Sequence, residues 1–129
     1  MNEPLSTREV VITGIGIVSP IGIGVDPFWD NLNAGRSGVH HCKIFPVTAS
    51  PDAVGAEVSE FTDESARKVY LKEQRKNIKA MCREIQLGVA SASLALQHGG
   101  VDLGAIDHER LGVEFGANLM LSAPDILET

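Results

Sequence analysis

Residues Val10 to Gly22 read V-V-I-T-G-I-G-I-V-S-P-I-G, an apolar run broken by two glycines and closed by Ser-Pro-x-Gly. A continuous apolar run bounded by turn residues fits a strand covered on both faces, as in the middle of an α/β sheet. The first strand is therefore expected over Glu9 to Val18, with Val10–Val18 central and buried. An aspartate in place of Val11 or Ile12 is expected to cost several kcal/mol as an unpaired buried charge. Gly14 and Gly16 on such a strand mark close packing or unusual backbone angles.

A Gly/Pro turn over Ser19 to Gly24 leads into a first helix. Asp26 is expected to cap it, Pro27 to occupy its first position, and Gly35 to end it in a left-handed conformation. Arg36 to Ala53 has little periodicity and reads as a long loop. Val54–Val58 reads as a short strand and Asp63–Leu71 as a short helix capped by Asp63. The longest periodic segment runs from about Lys76 to His98. There Ile78, Met81, Cys82, Ile85, Val89, Ala92 and Leu96 recur at helical spacing. Its Ala- and Ser-rich second half suits close packing against a sheet or a second helix. Gly99-Gly100 ends it, a loop or turn of helix covers Val101–Glu109, and Leu111–Gly116 reads as another strand. Pro124–Glu128 reads as the start of a further helix. This order of strands and helices implies an α/β layer arrangement.

With 129 residues, 43% of them hydrophobic and 22% charged, the chain suits one domain with one core. A net charge of −6 argues against a general nucleic-acid binder. No apolar run is long enough to span a bilayer, and the first residues carry no secretory pattern. Two cysteines, Cys42 and Cys82, do not make a disulfide framework, so a cytoplasmic protein is the simplest reading.

The candidate chemical motifs are few. Gly14-x-Gly16 has Ser19-Pro20 where a dinucleotide fingerprint needs its third glycine, and no acidic residue closes a second strand at the required distance. Cys82 falls on the apolar stripe of the long helix, which suits packing rather than nucleophilic attack. Cys42 follows His40-His41, but no second ligand pair stands at zinc spacing, so no metal site is expected. Lys72-Glu73-Gln74-Arg75-Lys76 is a basic run that reads as a solvated face or, functionally, as a docking patch for an acidic partner.

Several short motifs share one order with a known family. T-G-x-G-x-x-S-P-x-G over Thr13–Gly22, Phe28-Trp29 through Leu32, and Ala34-Gly35-Arg36-Ser37-Gly38-Val39 come first. Glu73-Gln74-Arg75-Lys76 with the Ala-rich helix, Arg110-Leu111-Gly112-Val113 and Phe115-Gly116-Ala117 follow. Together they resemble the beta-ketoacyl-acyl carrier protein synthases, condensing enzymes of fatty acid and polyketide synthesis. The resemblance implies an α/β, partial thiolase-like fold, with residues 1–129 as the first portion of the amino-terminal half. It implies decarboxylating condensation as the parent activity, acyl carrier protein as partner, a homo-oligomer, and no cofactor beyond carrier-bound thioesters.

The family's nucleophilic cysteine, in a T-A-C-[SA] turn, and its two catalytic histidines have no counterpart in this chain. No residue here is read as catalytic, and the chain alone is expected to be inactive. The resemblance places Leu119 at a bulky gate on the acyl-pocket side. Two features depart from the family pattern: Glu114 in an otherwise apolar strand, and Gly116-Ala117-Asn118-Leu119-Met120 where a glycine-rich loop is usual. Glu114 is expected to find a basic partner or to lie at an exposed edge. A second class of function is a non-catalytic interaction domain that binds a synthase-like partner. A third is a nucleotide-binding module.

Overall fold

The computed structural model describes residues 9–43 and 54–117. It combines helices with two small antiparallel sheets, and its core lies in the middle of the chain rather than at the amino-terminal run.

Val18–Ser19 (β1) and Gly22–Ile23 (β2) form a tight hairpin around Pro20-Ile21, paired Val18 to Ile23 and Ser19 to Gly22. The Ser19 hydroxyl donates to the Gly22 carbonyl across it at 2.9 Å. The hairpin runs straight into a helix over Val25–Asn33 (α1), with Gly24 at the cap position. The Gly24 N–H donates to the Ile17 carbonyl at 2.8 Å, and the Gly24 carbonyl accepts from Phe28. This closure starts the helix before the expected Asp26 cap. Asp26 instead sits in the first turn, where its charge complements the helix dipole, and makes no capping bond.

The other end of α1 follows expectation. Gly35 adopts φ +64°, a region costly for residues with a Cβ. Its N–H donates to Leu32 at 3.0 Å while that of Arg36 donates to Asn31 at 2.9 Å, the paired bonds of a Schellman stop. The exit segment then folds back on the first hairpin. Gly38 lies against Pro20, and the Asn31 side-chain amide donates to the Ile21 carbonyl.

Val39–His41 (β3) pairs antiparallel with Val54–Ala56 (β4), in the register Val39 to Ala56 and His41 to Val54. The second of these strands matches the sequence reading. The first lies in the stretch read as loop, because three residues show no periodicity. Thr62 caps the next helix, one residue ahead of the expected Asp63. It forms a capping box with Ser65, whose hydroxyl receives the Thr62 N–H. Asp63–Ser65 (α2) continues as a wide turn of π-helix over Ala66–Tyr70.

The long helix (α3) spans Arg83–His98, starting seven residues later than the periodicity predicts. Ile78–Ala80 forms a separate 3₁₀ turn, and Met81 and Cys82 are extended. Side chains hold the break open. The Gln86 amide donates to the Met81 carbonyl at 3.1 Å. The Arg83 guanidinium reaches back to the carbonyls of Phe61, at 2.5 Å, and Val58, at 3.1 Å. Cys82 is consequently a half-buried cap residue rather than part of an apolar helix stripe. Beyond Gly99-Gly100, two 3₁₀ turns over Leu103–Ala105 and His108–Arg110 are capped by the carboxylates of Asp102 and Asp107.

Phe61, Ala66, Leu71, Ile78 and Ala90 are buried together with Ile23, and Leu87, Val89 and Leu94 of α3 pack against them. The expected central strand is not formed. Only Val18 of Val10–Val18 pairs, and Val10 and Ile12 are 92% and 86% exposed. Leu111–Gly116 likewise forms no strand, and its Glu114 is exposed. Among the described residues no strand pairs with Val10–Ile17 or Leu111–Gly116, so neither gains the two neighbours that bury a central strand.

Candidate functional site

The amino-terminal motif has a structural use even without a sheet. Residues 13–17 cross the second half of α3 at backbone contact. A Cβ on Gly16 would collide with the Ser91 carbonyl oxygen and lie 2.6 Å from the Ala95 nitrogen. One on Gly14 would collide with the Ala95 carbonyl oxygen and lie 2.9 Å from the Gly99 nitrogen. The glycines and the small residues Ser91, Ala95 and Gly99 therefore form one close-packed seam, as the close-packing reading of Gly14-x-Gly16 requires. The Ile15 N–H donates to His98 Nδ1 at 3.1 Å at its end.

Two clefts flank α3. One of about 330 Å³ is lined by Ile15, Val25, Asp26, Pro27, Leu94 and His98, among others. The other, of about 180 Å³, is wholly apolar and is bounded by Ile85, Gly88, Val89, Ala92, Val113 and Phe115. The Phe115 ring sits directly against Gly88, where no side chain stands in its way.

A cationic ledge lies on the surface of the described residues. Between Arg67 and Arg83 lie seven of the chain's eleven basic residues and one acidic residue, Glu73. Leu71 and Ile78 point into the core from this stretch, and the charged residues around them stay exposed. Successive turns hold the segment: Gln74 N–H to Leu71, Asn77 to Gln74 and Ala80 to Asn77, at 3.1, 2.8 and 2.9 Å. Arg75 Nε donates to the Arg67 carbonyl at 3.2 Å and ties the middle of the ledge back to its start. Lys68 is paired with Glu64 at 2.6 Å, whereas no ion pair among the described residues engages Lys72, Arg75, Lys76 or Lys79. Sequence reasoning singled out Lys72–Lys76 and missed Arg67 and Lys79. The signal was the wider clustering of basic residues in an acidic chain.

Phe61 braces the ledge from below. Its ring stacks on Tyr70 at 5.5 Å between centroids, and the Arg83 guanidinium lies 5.3 Å above it. Burial, and secondarily the Glu60 carboxylate, raise the Tyr70 hydroxyl above its ordinary 10.0. The phenol therefore stays neutral at physiological pH and serves packing.

Neither thiol is hydrogen-bonded to a histidine among the described residues. Cys42 lies half-buried beside Gly55 on the β3–β4 hairpin. No group of three or more His, Cys, Asp or Glu side chains among the described residues converges to hold a metal. No helix among them is long and apolar enough to cross a membrane. Leu119, the expected acyl-pocket gate, and the helix start expected at Pro124–Glu128 lie outside the described residues.

Comparison with known proteins gives these features a family. The model of the beta-ketoacyl synthase N-terminal domain matches residues 7–126, and the chain belongs to that family. It is 36% identical over 111 residues, 86% of this chain, to the beta-ketoacyl synthase 1 assigned to granaticin polyketide synthesis in Streptomyces violaceoruber. It is 34% identical over 115 residues, 89% of this chain, to the 3-oxoacyl-acyl-carrier-protein synthase 2 of Coxiella burnetii. The tetracenomycin polyketide synthase ketoacyl synthase alpha subunit of Streptomyces glaucescens is 32% identical over 109 residues, 84% of this chain. These matches cover 25%, 26% and 24% of the respective relatives, so the chain spans about a quarter of their length. No solved structure gives a significant match.

Proposed function

We propose that this chain is the amino-terminal part of a 3-oxoacyl-acyl carrier protein synthase whose share of the work is scaffold and carrier docking. The family match over residues 7–126 carries this reading. In the parent reaction an acyl group is held as a cysteine thioester. A malonyl thioester loses carbon dioxide, and the resulting carbanion attacks the thioester carbonyl and expels the cysteine thiolate. Oxyanion-hole donors stabilise the charge on the carbonyl oxygen. The residues that perform these steps have no counterpart here, so the chain alone gives no turnover with acyl- and malonyl-carrier substrates. The parent is a cytoplasmic homo-oligomer with a thiolase-like sheet. Segments 10–17 and 111–116 take strand positions there, and Leu119 gates the acyl pocket.

The unpaired cations Lys72, Arg75, Lys76 and Lys79 support an acidic carrier as partner, because exposed charge of one sign steers and orients an oppositely charged protein. Titrating the chain with acyl carrier protein tests this reading. Reversing Lys72, Arg75 and Lys76 to Glu should weaken binding about tenfold or more, and added salt should weaken the native complex. Equal affinity of the reversed variant would sink the docking role. A covalent acyl adduct on Cys42 or Cys82 would sink the claim that catalysis needs residues absent here.

A further inference from the structure

Residues 13–17 are tied to the rest of the molecule at two places of different character. At Ile17 the tie is backbone to backbone, with the Gly24 N–H donating to the Ile17 carbonyl at 2.8 Å. At Ile15 it is backbone to side chain, with the Ile15 N–H donating to His98 Nδ1 at 3.1 Å. A ring nitrogen accepts a hydrogen bond only through its lone pair, so this contact requires Nδ1 to be unprotonated and the ring's proton to sit on Nε2. Histidine is also the side chain that ordinarily changes charge in the physiological pH range.

We propose that His98 is a proton-sensitive pin. In its neutral form it holds the glycine-bearing segment on α3, and protonation at Nδ1 releases that segment as far as the anchor at Ile17. When a proton from solvent is added to Nδ1, both ring nitrogens become donors, and the ring N–H then faces the Ile15 N–H. The bond is present above the titration of His98 and lost below it.

Asp26 of α1 lines the same 330 Å³ cleft as His98 and is the one carboxylate among its lining residues. The crossing segment Thr13–Ile17 carries no titratable side chain, and the neighbours of His98 on its own helix that line the cleft, Leu94 and Gln97, are uncharged. Asp26 is thus the one other charged side chain among the residues that line the cleft with His98. Release uncovers the Ser91, Ala95 and Gly99 seam that Gly14 and Gly16 occupy.

The test uses the full chain labelled with ¹⁵N, taken from about pH 8 to about pH 5, the span in which histidine changes charge. Ring nitrogen resonances of His98 report its tautomer and its titration. Amide exchange of Ile15, corrected for the intrinsic pH dependence, reports the pin. The expected result is an Nε2–H tautomer at the alkaline end. Ile15 protection should then fall about fivefold in step with ring protonation, the equilibrium worth of one neutral hydrogen bond. His98→Asn places an amide oxygen near the Nδ1 position and should hold Ile15 protection constant over the same range. An Nδ1–H tautomer in the native chain would overturn the proposal. So would Ile15 protection that ignores the titration, or loss of protection in His98→Asn at the native midpoint.

Discussion

The run Val10–Ile17 and the stretch from Val58 to Ala90 invert the ranking that hydropathy gives them. The first is almost uniformly apolar and stands mostly exposed, while the second is heavily charged and contains five of the six buried core residues among those described. The difference lies in how each satisfies its backbone. Turns of α-, π- and 3₁₀-helix close their hydrogen bonds locally, so Phe61, Ala66, Leu71 and Ile78 can be turned inward at once. A segment outside a helix must find most of its backbone partners elsewhere in the chain, and among the described residues no strand pairs with Val10–Ile17. Burial is thus set by available partners as much as by side-chain character.

The largest effect should come from the packed region. Phe61 is 1% exposed, stacks on Tyr70 and lies under the Arg83 guanidinium. Phe61→Ala should cost about 3–5 kcal/mol, as large-to-small changes in a core do. Urea unfolding of the two chains would measure it. A loss below about 1 kcal/mol would mean that this cluster is not the core of the molecule.

A smaller loss is expected where the two regions meet. In Gly16→Ala the added methyl must displace the Ser91 carbonyl and the Ala95 backbone, neither of which can swing aside as a flexible side chain would. Overpacking of this kind costs about 1–3 kcal/mol. The segment should lift from α3 while the Phe61 cluster stays intact, giving faster amide exchange at residues 13–16 and unchanged exchange at Leu71 and Ala90. A uniform change across both sets would show that the seam and the core unfold as one unit.

Much of this was legible in the sequence wherever the signal is local. Gly35 ends α1, Gly99-Gly100 ends α3, and Val54 and Asp63 mark the elements expected of them. The misses share a cause. The break at Met81-Cys82 depends on Arg83 reaching carbonyls more than twenty residues away, which no periodicity records. β3 depends on a partner more than ten residues further along the chain. The cleft beside His98 joins three separate parts of the chain. The family was readable because its motifs are short, ordered contacts. Part of the S-P-x-G turn touches part of the A-G-x-S-G exit, where Pro20 lies against Gly38. The acyl-pocket expectation rests on Leu119, which lies outside the described residues.

The smallest expected effect decides the comparison most sharply. If the apolar run were a central strand, Ile12→Asp would bury an unpaired carboxylate and cost several kcal/mol. In this structure Ile12 is 86% exposed and its neighbour Val11 67%, so the new charge would remain in water. The expected change is then within about 0.5 kcal/mol, the range of ordinary surface substitutions. Solubility should rise, because a charge interrupts an exposed apolar run that otherwise favours self-association. The measurement is urea unfolding at two protein concentrations well separated from each other. A loss of several kcal/mol that is independent of concentration would restore the buried strand within one chain. A loss that appears only at the higher concentration would instead place the run in an interface between copies. An unchanged midpoint at both leaves partner availability as what sets burial here.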